Sequence, residues 1–329
     1  MLAWPRMHRT LTSFLILTAS VATFGCSNQS LSFAPLAYEQ QGVSSMATDG
    51  GHVYWTTPKG ALRRVSIDGG QVETVVENIT NPANVTVDGT HVYWTENQGV
   101  IARAAKAGGT AEMLAANESD VVGLRVDDTN IYWARRDGVV KRLPKIGSEE
   151  TVIADQAGQI SAVALTSLNL LWSYNSPDAE VGSSSAEGAI QQAPVAGGTT
   201  STLAATQGLE LIATNDTRVF WTGVDTDALA TDPLARPIRI SSVSLDGSDE
   251  HVLASDLEDV DTIIADESHV FFSTTTGDVN VLPTDGGTPT TFASGPTGKT
   301  SFTFDTSSVY WAHAGGNAVF VLPKQSFYP

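Results

Sequence analysis

Cysteine is almost absent from this 329-residue chain: Cys26 is the only one, so no intramolecular disulfide can form. Basic residues are also scarce, with 18 Lys and Arg against 36 Asp and Glu, for a formal charge of −18. Such an excess of negative charge repels phosphate backbones, so we predict no nucleic-acid partner. Charged residues make up only 16% of the chain and hydrophobic residues 41%, which is enough for one large core.

Long apolar runs are missing as well. The most apolar stretch, Leu11 to Phe24, is too short for a comfortable transmembrane helix. It follows the basic Arg6 and Arg9 and precedes Gly25-Cys26, which is the order of parts in an export signal. We therefore predict a signal peptide over residues 1–25, whose removal leaves 16 basic and 36 acidic groups, or a charge of −20.

The junction at Cys26 resembles the signal of a bacterial lipoprotein, in which the cysteine becomes the acylated first residue. The resemblance implies a lipid on Cys26, a short tether over residues 26–32 and a folded domain over residues 33–329. It also implies attachment to a membrane surface of the bacterial cell envelope, facing the periplasm or the exterior. The alternative is an ordinary secretory signal with an unmodified cysteine.

A three-residue pattern, Val53-Tyr54-Trp55, recurs to the end of the chain. Its third positions, 55, 94, 133, 172, 221, 272 and 311, are 39, 39, 39, 49, 51 and 39 residues apart. The copies are Val92-Tyr93-Trp94, Ile131-Tyr132-Trp133, Leu170-Leu171-Trp172, Val219-Phe220-Trp221, Val270-Phe271-Phe272 and Val309-Tyr310-Trp311. A fixed period of this size marks a repeat architecture.

The second repeat divides into four alternating segments, which we name strands A to D. They cover residues 84–87, 92–95, 100–104 and 110–115, and the paired glycines 108–109 predict a tight hairpin between C and D. Four such strands form one propeller blade. The last repeat ends after strand C, and residues 35–40 resemble a strand D. We therefore predict an all-β fold: a seven-bladed β-propeller of four-stranded antiparallel blades, closed by an N-terminal strand added to the last blade.

The three-residue motif, which Thr follows in three repeats, resembles the YWTD propellers of low-density-lipoprotein receptors. It is also similar to NHL-type propellers and to bacterial lipoproteins built from such repeats. The resemblance covers residues 33–323. The Asp at the fourth motif position is replaced in every copy, by Thr57, Glu96, Arg135, Tyr174, Gly223, Thr274 and His313, and YWTD domains have six blades. No receptor-like partner is therefore carried over.

Two conspicuous residue sets have structural interpretations. Six of the seven tryptophans occupy one repeat position, which predicts burial between blades rather than a carbohydrate platform. A second set of carboxylates follows strand A, where we predict Asx turns rather than a binding ring; its members are Asp49, Asp88, Asp127, Asp266 and Asp305.

The two long repeats both owe their length to insertions between strands B and C, at residues 173–188 and 222–237. These loops and the following D–A connection lie on one face, and their polar residues form the predicted ligand-binding sector. Its members are Tyr174, Asp178, Glu180, Asp225, Asp227, Asp232, Glu258 and Asp259. Neutral variation of surface loops is the competing explanation.

These observations leave two functional hypotheses. The first is a lipid-anchored, extracytoplasmic, monomeric propeller that acts as a non-enzymatic binding scaffold for a protein, peptide or glycan. The second is a lyase or hydrolase with a carboxylate or divalent-ion site at the mouth of the central channel. No catalytic constellation is visible on the inner strands, so we favour binding. No cofactor is predicted, although the acidic sector has enough oxygen ligands for a weak calcium site.

Overall fold

The strands are rich in valine, isoleucine, threonine and aromatic residues, which pack well on pleated surfaces. The computed structural model describes residues 34–40, 42–147, 149–156, 158–176, 187–225 and 237–327, and its strands are numbered β1 to β28. They form seven four-stranded antiparallel sheets, the blades. Each innermost strand contacts that of the next blade, and β26 contacts β2, so the blades form a closed ring around a central channel. No helix within the described ranges is long and apolar enough to cross a membrane.

The strands of each blade run from the innermost, A, to the outermost, D. Blade 1 contains β2 (Ser45–Thr48), β3 (His52–Thr57), β4 (Ala61–Ser66) and β5 (Glu73–Val76). Blade 2 contains β6 (Pro82–Val87), β7 (His91–Glu96), β8 (Val100–Ala105) and β9 (Glu112–Ala115). Blade 3 contains β10 (Val121–Val126), β11 (Asn130–Arg135), β12 (Val139–Pro144) and β13 (Thr151–Asp155). Blade 4 contains β14 (Val163–Leu165), β15 (Asn169–Asn175), β16 (Glu187–Pro194) and β17 (Ser201–Gln207).

The remaining blades follow the same plan. Blade 5 contains β18 (Ile212–Thr214), β19 (Arg218–Val224), β20 (Ile238–Ser244) and β21 (His251–Leu257). Blade 6 contains β22 (Val260–Ala265), β23 (His269–Thr274), β24 (Asp278–Pro283) and β25 (Thr290–Ser294). Blade 7 contains β26 (Thr300–Phe304), β27 (Ser308–His313), β28 (Ala318–Pro323) and β1 (Ala34–Tyr38). The A–B and C–D turns define the turn face of the ring, and the B–C and D–A connections define the loop face.

The N-terminal strand closes the ring, as predicted. β1 pairs antiparallel with β28, with Ala34 opposite Val321 and Tyr38 opposite Ala318. β1 therefore covers the edge of blade 7 that the C-terminal repeat leaves unpaired, which removes a site of aggregation. Because the A–B turn of this blade leads into Ser308, which pairs with Pro323, β1 starts at the turn face and ends at the loop face.

The repeated aromatic residues lie between blades, which confirms the structural interpretation of the tryptophans. Trp133 is fully buried and packs in one cluster with Tyr93 and Leu124. Thus the second motif residue of one blade packs against the third motif residue of the next. The same arrangement recurs around the ring because the sequence repeats it. Burial of six tryptophans at this position accounts for much of the hydrophobic driving force.

The aspartates after strand A form the predicted Asx turns, and they do more. Asp88 Oδ1 accepts hydrogen bonds from the backbone N–H groups of Thr90 and His91, both at 2.7 Å. Its Oδ2 accepts one from the Tyr93 hydroxyl at 2.7 Å. The same Asp–Tyr pair, five residues apart, recurs at Asp49 with Tyr54, Asp127 with Tyr132 and Asp305 with Tyr310. Each pair fixes a turn to the core of its own blade.

Ion pairs then join one Asp–Tyr pair to the following blade. Lys145, just after β12, places its Nζ 2.6 Å from Asp88 Oδ2, and Lys106 is 2.5 Å from Asp49 Oδ2. Burial alone raises the pKa of Asp49, but the bonds from Lys106, Gly51, His52 and the Tyr54 hydroxyl outweigh it and lower the pKa to about 2. These aspartates are therefore structural carboxylates.

The residues after β28 carry a feature that the repeat pattern does not predict. Residues Lys324–Phe327 form a 3₁₀ turn that places the Phe327 ring 5.4 Å from Phe271 and 5.1 Å from Phe292. The buried Lys324 contacts Asp266 Oδ2 at 2.7 Å. This segment thus ties blade 7 to blade 6.

Candidate binding face and channel mouth

Tyr174 and Asn175 form the base of the first insertion, at the end of β15. Asn175 is buried, and its Nδ2 donates to the Leu209 carbonyl at 2.7 Å, while its Oδ1 has no partner within the described residues. The Tyr174 ring packs over Gly158, where a Cβ atom would overlap it. The first insertion therefore begins at two residues that are packed against the body of the propeller. Asp178 and Glu180 lie outside the described residues.

Asp225, another of the predicted ligand-binding residues, is buried rather than exposed. It follows β19 at the base of the second insertion and is only 4% exposed. Its Oδ2 accepts a hydrogen bond from the backbone N–H of Asp256 at 3.0 Å, and its own N–H donates to the Pro237 carbonyl at 2.9 Å. Asp225 thus ties the insertion to the end of strand D of its own blade. Asp227 and Asp232 lie outside the described residues.

Glu258 and Asp259 are exposed on the D–A connection between blades 5 and 6. Asp259 has a φ of 49°, and its carbonyl accepts a hydrogen bond from Thr275 in the B–C turn of blade 6 at 3.0 Å. Both carboxylates therefore reach solvent beside that turn. Across the described ranges, no three His, Cys, Asp or Glu side chains converge in an arrangement that would hold a metal ion.

A cavity of about 600 Å³ lies on the opposite face, at the mouth of the central channel. We call it the mouth cavity. Its walls are the ends of the inner strands of blades 4 to 7 and the turns that follow them, with Lys324 at one side; the strand ends are Leu165, Thr214, Ala265 and Phe304. Its size lies within the range of small-molecule sites. The second functional hypothesis placed a site at a channel mouth, but the residues that line this cavity were not predicted, because no single repeat encodes it.

The charges around the mouth cavity are of two kinds. Asp266 and Asp305 are committed to turns: Asp266 also contacts Lys324, and Asp305 Oδ2 accepts from the Tyr310 hydroxyl at 2.7 Å. Lys324 Nζ lies 4.3 Å from the Phe304 ring centre, a cation–π contact. The carboxylates of Asp216 and Glu267 are exposed at the rim.

The structural comparisons agree with this architecture. The WD40 domain of Neurospora crassa Pan2 superposes with a TM-score of 0.65 at 11% identity, covering 90% of this chain and 96% of that domain. BamB from Moraxella catarrhalis gives a TM-score of 0.54 at 13% identity, covering 85% of this chain and 84% of BamB. A gluconolactonase from Xanthomonas campestris gives 0.53 at 14% identity, covering 88% and 89%.

No protein-family model and no curated protein sequence matches this chain. The similar structures thus include a WD40 domain, BamB and a gluconolactonase, and at these identities the likeness extends to the fold alone. The chain is therefore a seven-bladed β-propeller, and its function has to be argued from its own residues.

Proposed function

We propose that this protein is a lipid-anchored, extracytoplasmic, non-enzymatic scaffold whose loop face binds a protein, peptide or glycan. The observation that carries the proposal is that departures from the repeat concentrate in one sector. Blades 4 and 5 have the two B–C insertions, and the exposed Glu258 and Asp259 follow blade 5 directly. Rigid scaffolds generally present binding residues on such loops.

The bases of both insertions support a binding role rather than neutral loop growth. Asn175 and Asp225 are buried polar side chains, and each fixes the start of an insertion to a neighbouring backbone group. Buried polar groups are costly to accommodate unless they are bonded, so such anchors are expected where loop position matters.

The charge of the sector indicates the chemistry of the partner. Glu258 and Asp259 are exposed acids, and the insertions add Asp178, Glu180, Asp227 and Asp232. A partner with basic groups would be steered towards this face, and Tyr174 adds an aromatic surface at its edge.

The proposed lipid on Cys26 would direct the loop face away from the membrane. Residues 27–32 span at most about 20 Å when extended. β1 starts at the turn face, so an anchor at Cys26 holds that face towards the membrane and directs the loop face away from it. We place the protein in the bacterial cell envelope, facing the periplasm or the exterior, as a monomer. We assign its repeats to the YWTD-like and NHL-like class on the Tyr-Trp motif.

The binding role is tested by capture from the native cell envelope. The full-length protein is compared with a variant in which residues 177–186 and 226–236 are each replaced by Gly-Ser-Gly. A control variant receives the same linker at the turn-face residues 107–110. We expect wild type and control to retain one and the same partner and the double-loop variant to lose it. Equal capture by all three proteins would refute the loop face as the binding surface.

The anchor is tested separately by fractionation of cells. Wild type should sediment with membranes and incorporate labelled fatty acid, whereas Cys26→Ala should do neither. Membrane association and labelling that survive in the variant would rule out acylation at this residue.

Enzymatic activity is the second candidate, because the mouth cavity is large enough for a small substrate and has the rim carboxylates of Asp216 and Glu267. A lyase or hydrolase of this kind would use one carboxylate as general base or as a divalent-ion ligand. Turnover of ester, lactone or glycoside substrates that Asp216→Asn and Glu267→Gln abolish would favour it over the scaffold.

A further inference from the structure

Arg125 is the only basic side chain on the seven inner strands. It lies on β10, the innermost strand of blade 3, opposite Tyr132 of β11. The equivalent residues in the other blades are Ala47, Thr86, Ala164, Ala213, Ile264 and Thr303. Five of these six are alanine or threonine, so small side chains surround the position of the one long, charged side chain.

The hydrogen bonds of blade 3 show where the guanidinium lies. Asp127 donates its N–H to the Asn130 carbonyl, so these two residues form a hydrogen-bonded pair across the β10–β11 hairpin. Bonded and non-bonded pairs alternate along an antiparallel ladder. The pair of Leu124 and Trp133 is therefore non-bonded, and the Leu124 carbonyl points away from β11, into the channel.

Arg125 donates a hydrogen bond from its terminal nitrogen to this same Leu124 carbonyl, at 2.9 Å. The guanidinium is thus in the central channel and not between blades. A guanidinium has five N–H donors, and in the described part of the chain Arg125 makes no other side-chain hydrogen bond and no ion pair. Most of its donors therefore face the channel.

Carboxylates near Arg125 are already engaged. Asp127, two residues further on, bonds to Thr129, Asn130 and Tyr132. Asp261, the only acid on an inner strand, lies towards the opposite end of the channel and accepts from the Thr300 N–H at 3.0 Å. Burial lowers the pKa of the Arg125 guanidinium. A charge in such surroundings is stabilised by an anionic partner.

We propose that the central channel binds a small ligand through an oxyanion, a carboxylate or a phosphate, held by the guanidinium of Arg125. The planar fork of arginine matches either group with two parallel hydrogen bonds. The mouth cavity is the nearer entrance: its strand ends are equivalent in register to Val126, one residue from Arg125. This ligand is distinct from the partner proposed for the loop face, and neither proposal depends on the other.

The test is calorimetric titration of the full-length protein in detergent with inorganic phosphate and, separately, with succinate, against sodium chloride at equal ionic strength. Arg125→Ala should fold, because alanine is the residue of blades 1, 4 and 5 at this position. We expect wild type to bind phosphate or succinate, and the variant to bind about 10- to 100-fold more weakly. The control is Arg136→Ala, which removes an exposed arginine of the same blade and should bind as wild type does.

A second measurement needs no variant. Phenylglyoxal modifies accessible arginines, and mass spectrometry locates the adducts. In chloride we expect an adduct on Arg125, and in phosphate or succinate we expect Arg125 to be protected while Arg136 is modified equally in both. The two anions separate the chemical sources, because whichever protects at the lower concentration identifies the group preferred. Equal labelling of Arg125 in all salts, or equal affinity of wild type and Arg125→Ala, would overturn the proposal.

Discussion

Blades 1 to 3 and blades 4 to 6 share a backbone plan but differ in the polar bonds that hold it. In the first group, Tyr54, Tyr93 and Tyr132 each donate to the aspartate of their own A–B turn. In the second group, the equivalent residues are Leu171, Phe220 and Phe271. Where the hydroxyl is lost in blades 4 and 5, the turn residue also changes, to Thr166 and Asn215, which cap the turn without a second carboxylate oxygen.

Blade 6 clarifies this pattern. It keeps Asp266 although its aromatic partner is Phe271, and the oxygen that a tyrosine would occupy is taken by Lys324 from blade 7. An aspartate is therefore retained where its second oxygen has a donor and is replaced where it has none. The comparison teaches that the Asp–Tyr pair is one functional unit of the repeat, and that the sector which bears the long loops has lost it.

The groups also differ in the arginines that join neighbouring blades. Arg64 and Arg103 each pair with a glutamate of their own blade and donate to a carbonyl of the next, and Arg142 donates to Val195. Blades 4 to 6 have Gln192, Ser242 and Val281 instead. We propose that blades 1 to 3, the regular half, form the scaffold and that blades 4 to 6, the divergent half, carry the binding surface.

The largest effect that we predict concerns the repeated tryptophans. Trp133→Ala and Trp172→Ala should each destabilise the protein by about 3 to 5 kcal/mol, because both indoles are fully buried. Substitution by phenylalanine should distinguish the two sites. Trp133 donates a hydrogen bond to the buried Glu118 at 2.9 Å, whereas Trp172 Nε1 has no partner within the described residues. In denaturant unfolding, Trp133→Phe should cost about 1 to 3 kcal/mol more than Trp172→Phe. Equal costs would show that the bond from Trp133 to Glu118 does not stabilise the fold.

The next prediction breaks one Asp–Tyr pair. Tyr132→Phe gives blade 3 the aromatic residue of blade 5 and should cost about 1 kcal/mol, because the second oxygen of Asp127 loses its donor. Asp127→Asn in the same chain should restore part of that loss, as Asn215 does beside Phe220. A double-mutant cycle by urea unfolding measures the coupling, and strictly additive costs would show that the two residues act independently.

Much of the fold was predictable because each repeat restates it. Seven blades, the Asx turns and the closing strand all followed from spacing, alternation and composition, and the structure confirms them. The hydrogen bond from Tyr93 to the second oxygen of Asp88 was not predicted, although an Asp and a Tyr five residues apart recur in four repeats and indicate it. The position of Arg125 in the channel was not predicted, because only one repeat has a basic residue there. Its position also follows from the alternation of bonded and non-bonded pairs along β10, which the sequence does not show.

The binding sector was less predictable for a physical reason. The sequence places Asp225 in an acidic loop, but it does not reveal that the side chain is buried or that it accepts a bond from Asp256. Sequence gives the charge of a loop residue and not the direction of its side chain. The residues that line the mouth cavity were likewise not predictable from sequence, since four blades form it jointly.

Acid should act most strongly on the regular half. The pKa of Asp49 is lowered to about 2, so its contribution is complete above the unfolded value of 3.8 and is lost as the pH falls through about 2. Asp49→Asn should therefore flatten the fall in stability between about pH 4 and pH 2, by roughly 1 kcal/mol after solvent screening. Asn215→Ala in blade 5 should leave that slope unchanged. An identical acid limb in wild type and Asp49→Asn would contradict the assignment.

Calcium should have the smallest effect. Asp225 is already bonded to Asp256, and Glu258 and Asp259 reach solvent separately, so any calcium site in the sector is weak. At a concentration near the dissociation constant, stabilisation is about 0.4 kcal/mol. Millimolar calcium should therefore raise Tm by no more than about 2 °C relative to chelator. A rise in Tm of 5 °C or more would indicate a strong calcium site and would contradict this prediction.

The central claim, that the divergent half binds while the regular half supports it, is tested most directly by photo-crosslinking in living cells. A photoreactive amino acid replaces Glu258, which follows strand D of blade 5, or Glu77, which follows strand D of blade 1. Both residues are exposed glutamates on the loop face. The account predicts a discrete adduct from position 258 and none from position 77. Adducts from both positions, or from position 77 alone, would contradict it.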